Sequence, residues 1–76
     1  MNDWRDRITL DQAILAGKPV IKGTRISVQH ILELLANAWT EEAILDNYPQ
    51  LEKQDVQSAL KYATDILKDE TVYPYP

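Results

Sequence analysis

The chain has 76 residues, a net charge of −4 and no cysteine. This length predicts a single domain, residues 1–76, and the lack of cysteine excludes disulfides and thiolate zinc sites. One histidine, His30, cannot by itself form a His-rich metal centre or a histidine-relay catalytic system. Neither a long apolar run nor a charged start followed by an apolar stretch is present, so we expect a cytoplasmic protein without a membrane span.

Charge is distributed unevenly along the chain. Residues 1–26 carry five basic and three acidic side chains, a net charge of +2, whereas residues 27–76 carry three basic and nine acidic ones, a net charge of −6. Affinity for nucleic acid depends on Lys and Arg displacing counterions, so the second half is a poor nucleic-acid binder on its own. The basic first segment is either an ordinary solvated surface or an edge that meets an acidic partner.

Residues 1–26 have the pattern of short extended segments. Ile8 to Leu10 is β-prone, and residues 19–26 place two short apolar arms around Gly23. Glycine provides the positive φ that tight turns require, so we predict a small hairpin or β-arch here, with Gly23 and Thr24 as turn residues. Strands this short must pack on helices or pair with a neighbour.

Three helices are predicted after this segment. Ser27 is an N-cap for a first helix from Val28 to Ala36 or Asn37, and Asn37 is expected to end it in the left-handed conformation. Thr40 is an N-cap for a second, two-turn helix that Pro49 ends. Its inner face is predicted to contain Ala43, Ile44 and Tyr48.

The third helix is predicted from about Lys53 to Lys68, with Glu52 as a weak cap and a frayed first turn. Its inward stripe is expected to consist of Val56, Ala59, Leu60, Ala63 and Leu67, widened by Ile66. The predicted architecture is mainly α: a β or irregular segment (1–26), a three-helix core (27–69) and an extended tail (70–76). This order of elements is typical of a homeodomain-like, helix-turn-helix bundle preceded by a small β-hairpin.

Residues 17–28 (GKPVIKGTRISV) are followed by ILELLA at 31–36 and EEAILDNYP at 41–49. This pattern, over residues 8–65, resembles a small prokaryotic family first catalogued as a domain of unknown function (number four hundred and thirty-three) and described as VapB-type antitoxins. The resemblance implies a homeodomain-like fold and a homodimer that binds a PIN-like ribonuclease toxin and represses its own operon. One departure is Ala38-Trp39, where the family commonly has a glycine.

The candidate toxin-binding residues are Arg25, Trp4, Tyr73 and Tyr75. Arg25 on a rigid turn could make bidentate bonds to the carboxylates with which a PIN-like nuclease binds Mg²⁺, or could bridge to Glu33 of its own chain. Tyr and Trp near the termini provide large contact areas at low entropic cost, although the tail could equally be a disordered end.

The candidate DNA-binding residues lie off the apolar stripe of the third helix: Lys53, Gln54, Gln57, Ser58 and Lys61. These residue types read base edges and phosphates when a helix enters the major groove. Glu52 and Asp55 beside them oppose such binding, and an ordinary solvated helix face is the alternative. If operator DNA is bound, we expect the dimer, the basic segment or the toxin to be needed.

No catalytic triad, phosphate-binding loop or dinucleotide-binding motif is present in the sequence, so we expect neither an enzyme nor a cofactor. The leading hypothesis is an antitoxin that occludes its toxin's active site without chemistry of its own. The alternatives are an autonomous helix-turn-helix transcriptional regulator and a small structural adaptor.

Overall fold

The structure, a computed structural model, describes residues 3–68. A 3-10 turn at Trp4–Asp6 leads to strand β1 (Ile8–Thr9), and a second short turn at Leu15–Gly17 leads to strand β2 (Val20–Ile21). Three helices follow: α1 (Val28–Ala36), α2 (Glu41–Asn47) and α3 (Lys53–Lys68). The prediction of a mainly helical chain with three helices after a small β element is therefore confirmed.

The two strands form a small antiparallel sheet in which Ile8 lies opposite Ile21 and Thr9 opposite Val20. The sequence instead predicted a small hairpin or β-arch within residues 19–26. Only a single bridge, Val20 to Ser27, forms on that side, since the tight turn between the two arms leaves little chain to pair. Pairing with β1 buries Ile8 and Ile21 in the core, which explains the choice of partner.

Helix α1 begins at the predicted cap, because the Ser27 hydroxyl accepts the His30 backbone N–H at 3.0 Å. It ends at Ala36, as predicted, but the residue in the left-handed conformation is not the expected one. Asn37 has a φ of −96°, and the left-handed residue is Ala38, with a φ of +69°. The Ala38 and Trp39 N–H groups bond to the carbonyls of Leu35 and Leu34, a helix ending that normally has glycine at the Ala38 position.

Helix α2 has the predicted boundaries. The Thr40 hydroxyl accepts the Ala43 N–H at 3.0 Å, and the helix ends at Tyr48 before Pro49. The Tyr48 hydroxyl lies 2.8 Å from Nε2 of His30, with the two rings edge to face, so this pair fastens the end of α2 to α1.

Helix α3 also has the predicted boundaries, but its first turn is not frayed. The Asp55 carboxylate accepts the Glu52 backbone N–H at 2.8 Å, which satisfies one of the unpaired donors at the helix start. Asp55 and Ser58 are buried, so the face of α3 that points inward is rotated from the predicted stripe.

The core contains aliphatic residues from both strands and all three helices. Its buried members are Ile8, Val20, Ile21, Val28, Ile31, Ile44, Leu51, Val56 and Ala59. Three residues of the predicted α3 stripe are instead exposed: Leu60, Ile66 and Leu67. Leu60 is exposed because the inward face of α3 is rotated, as the buried Ala59 beside it shows. Ile66 and Leu67 lie in the last turns of α3, which has 16 residues against 9 in α1 and 7 in α2, so these turns extend beyond the helices that pack on it. Within residues 3–68, no helix is long and apolar enough to cross a membrane.

The left-handed Ala38 makes a direct prediction about stability. Ala38→Gly should raise the free energy of unfolding by about 1 kcal/mol, because glycine adopts positive φ without the steric cost that alanine's Cβ incurs. Urea denaturation of the two proteins measures this difference. The matched control is Ala36→Gly in the last turn of α1, which should lower stability by about 0.5 kcal/mol. A loss of stability in both variants would contradict the interpretation.

Candidate interaction surface

The turn between Ile21 and Ile26 presents two cations on a backbone that is held by hydrogen bonds. The Thr24 hydroxyl donates to the Ile21 carbonyl at 2.8 Å and accepts the Ile26 N–H at 3.0 Å. Gly23 has a φ of +79°, and beyond its chain neighbours no atom lies within 4 Å of the place that a Cβ would take. Its backbone conformation rather than crowding therefore requires glycine. The predicted turn role of Gly23 and Thr24 is confirmed.

Arg25 is exposed on this turn. Within residues 3–68 its side chain makes neither a hydrogen bond nor an ion pair, and the alternative bridge from Arg25 to Glu33 does not form. Lys18 and Lys22, which flank β2, are likewise exposed and outside every ion pair of the described residues. We call Lys18, Lys22 and Arg25 the basic turn; of its three cations, only the Arg25 guanidinium can bond both oxygens of a carboxylate in one plane.

The other two arginines of the first segment, Arg5 and Arg7, form ion pairs with carboxylates of the same chain. Nη1 of Arg7 donates to Glu52 Oε1 and to Asp55 Oδ1, both at 2.9 Å, and Nη2 donates to the side-chain oxygen of Gln54. The hydrogen bonds that Arg7 donates to Asp55 and, to a lesser extent, to Glu52 raise the pKa of Arg7 above its ordinary value. The Arg7 carbonyl accepts the Lys22 N–H at 2.8 Å, so one residue joins the basic turn to the start of α3.

Trp4 makes a second attachment to α3. Its indole N–H donates to Asp65 Oδ2 at 2.7 Å, its ring meets Tyr62 edge to face at 4.8 Å, and the Arg5 guanidinium lies 4.6 Å above it. Arg5 in turn pairs with Asp3, whose pKa is lowered chiefly by the hydrogen bond from the Arg5 backbone N–H. The half-buried Trp4 thus holds the first residues on α3, and its role in binding a toxin stays a prediction.

The predicted DNA-binding residues do not form one free surface. Ser58 is only 5% exposed and cannot reach a base, so its predicted role in DNA binding is wrong. It lies one helical turn from Asp55 on the inward face of α3. Gln54 is held by Arg7, and Lys61 lies 3.7 Å from Asp65. Lys53 and Gln57 remain exposed.

Two surface depressions lie where the first segment contacts α3. One of about 420 Å³ lies around Arg7, and its lining residues are Asp6, Arg7, Lys22, Gln50, Glu52, Gln54 and Asp55. The other, of about 240 Å³, is lined by Trp4, Gln54, Gln57, Ser58 and Lys61. In the first, Arg7 already engages Glu52 and Asp55, and no group of three or more metal-ligating side chains occurs among the described residues.

Sequence reasoning missed the contact between Arg7 and Asp55. One signal was available: Asp55 stands three residues after Glu52, the spacing at which an acidic side chain bonds back to the residue before a helix. Nothing local indicated Arg7, which is 48 residues away from its partner. The predicted extended tail, with the predicted toxin-binding residues Tyr73 and Tyr75, lies outside the described residues.

The buried Asp55 carboxylate makes a second prediction. Asp55→Asn should lower the free energy of unfolding by about 1–3 kcal/mol, because it removes the charge that compensates Arg7 while leaving a polar group buried. Urea denaturation measures the change. Asp46→Asn on the exposed surface of α2 is the control and should stay within about 0.5 kcal/mol of the parent. Equal effects of the two substitutions would show that the contact adds no stability.

Comparison with known proteins gives a family and a relative. Residues 8–63 match the model of a family described as "Protein of unknown function (DUF433)". The chain is 32% identical over 59 residues to the uncharacterized protein y4eO of Sinorhizobium fredii. That match covers 78% of this chain and 27% of the relative, so the chain spans about a quarter of that protein's length. No solved structure matches significantly.

The family match starts at β1 and ends within α3, so it includes both strands, the basic turn, α1, α2 and the first 11 residues of α3. Since it covers well over half of the sequence, the chain belongs to the DUF433 family.

Proposed function

We propose that the protein is an antitoxin that neutralises a PIN-like ribonuclease by covering its active site. The observation that carries this proposal is Arg25, an exposed cation on a hydrogen-bonded turn, with no carboxylate of the described chain engaging it. The resemblance to VapB-type antitoxins supplies the kind of partner. A nuclease that binds Mg²⁺ through clustered carboxylates presents the complementary charge.

Inhibition would proceed by occupation of the active site. The planar guanidinium of Arg25 can bond two carboxylate oxygens at once, and it would compete with the metal for those oxygens. The Thr24 hydrogen bonds fix the turn before binding, so little backbone entropy is lost on docking. Lys18 and Lys22 add positive charge that speeds encounter with an acidic surface.

Autonomous DNA binding is the weaker candidate. In a helix-turn-helix protein the first turns of the recognition helix enter the major groove. Here Arg7 of the first segment bonds to Gln54 and Asp55 in those turns, Ser58 is buried, and residues 27–76 have a net charge of −6. Operator binding and autorepression are therefore proposed only for the homodimer or the toxin complex, with Lys53 and Gln57 as the exposed contacts.

A pull-down with a PIN-like ribonuclease, sought first in the reading frames next to this one, tests the proposal. We expect a stable complex that suppresses RNA cleavage in proportion to added antitoxin. Arg25→Ala should weaken binding about ten- to a hundredfold, as expected for loss of a charge-assisted hydrogen-bond pair. Arg25→Lys should recover only part of the affinity, since an ammonium cannot bond both oxygens in one plane.

Lys18→Ala serves as the control at a neighbouring exposed cation and should change affinity by less than about threefold. Isothermal titration of each variant against the nuclease provides the comparison. Absence of any complex, or equal affinities for the parent and Arg25→Ala, would refute the proposed function.

A further inference from the structure

The C-terminal half of α3 has an apolar surface that no described residue covers. Leu60, Ile66 and Leu67 are 45%, 48% and 59% exposed, and the half-buried Ala63 lies between them. Leu60, Ala63 and Leu67 follow the i, i+3, i+7 spacing of one helix face. We call these four residues the α3 strip. Such a stripe normally packs on another element, so its exposure indicates an interaction site.

Positive charge borders one edge of the α3 strip. Lys53 lies two turns before Leu60 on the same side of the helix, and Lys61 and Lys68 follow Leu60 and Leu67 in sequence. At about 100° per residue, the three lysines fall within about 80° of one another around the helix axis. All the lysines of α3 are therefore on the side next to Leu60 and Leu67.

The two carboxylates of α3 do not neutralise this edge. Asp55 is buried and bonded to Arg7. Asp65 is shared among three donors, since it accepts the Trp4 indole N–H and lies 3.7 Å from Lys61 Nζ and 3.9 Å from Lys68 Nζ. One carboxylate cannot compensate two lysines, so within residues 53–68 this edge carries a net positive charge.

We propose that the α3 strip binds an amphipathic helix of a partner protein whose apolar stripe is bordered by acidic residues. Leu60, Ala63 and Leu67 supply the hydrophobic contact, and Lys61 and Lys68 select the acidic border. A second copy of this chain fits less well. In a two-fold pair of antiparallel helices, equivalent edges face each other, so lysines would oppose lysines. The inference shares one premise with the proposed function, namely that the protein binds another protein.

The probes are two fluorescein-labelled synthetic peptides of about 18 residues with the same leucine stripe, one bordered by Glu and the other by Lys. Fluorescence anisotropy should show at least about tenfold tighter binding of the Glu peptide at low salt, with the preference decreasing as salt is added. The double variant Leu60→Ser/Leu67→Ser should weaken that binding by about tenfold or more. Both side chains are exposed, so the variant is expected to fold, and circular dichroism checks this.

Leu10→Ser is the matched control, because Leu10 has the same 59% exposure as Leu67 but lies outside α3. It should leave peptide binding unchanged, as should Arg25→Ala, which separates this test from that of nuclease inhibition. Equal binding of the two peptides, or unaltered binding by the double variant, would overturn the inference. So would sedimentation showing a wild-type dimer that Leu60→Ser/Leu67→Ser converts to a monomer, because a second copy would then cover the strip.

Discussion

The contact on which the rest of this structure depends joins the Arg7 guanidinium to the buried Asp55 carboxylate. The strands β1 and β2 have two residues each, too few to hold together alone in water. Arg7 fixes them on α3 through Asp55 and Glu52, and its carbonyl also accepts the Lys22 N–H at the start of the turn. Asp55 simultaneously bonds the Glu52 N–H, so the same carboxylate stabilises the beginning of α3. One arginine thus couples the sheet, the turn and the longest helix.

This coupling divides the basic residues of the first segment into two groups. Arg5 and Arg7 are occupied by carboxylates of the chain, whereas the described residues offer no ion pair to Lys18, Lys22 and Arg25. The first segment also contacts the initial turns of α3, chiefly through Arg7. A helix that binds in the major groove needs those turns to be accessible. The proposal of a protein-covering function rather than an independent DNA-binding one depends on this division.

Local patterns predicted the helices because their signals are short-range. The Ser27 and Thr40 caps and the stop at Pro49 lie within a few residues of the bonds they make. Asn37 and Ala38 show the limit of such rules: a propensity favoured asparagine for the left-handed position, but the hydrogen-bond pattern of the helix end placed alanine there.

Long-range packing accounts for what the sequence did not predict. The Arg7–Asp55 contact and the burial of Ser58 depend on how distant segments meet, which no local pattern contains. Leu60 and Leu67 were expected inside because periodicity identifies an apolar face but not whether another element reaches it.

Native-state hydrogen exchange of the Arg7→Ala variant tests most directly whether this ion pair holds the first segment in place. The account predicts that the amides of Ile21 and Lys22, which bond to Ile26 and Arg7, lose protection, whereas those of Ile31 and Ala59 inside α1 and α3 keep theirs. Unchanged protection at Ile21 and Lys22 would contradict it, because the sheet and the turn would then hold together without Arg7.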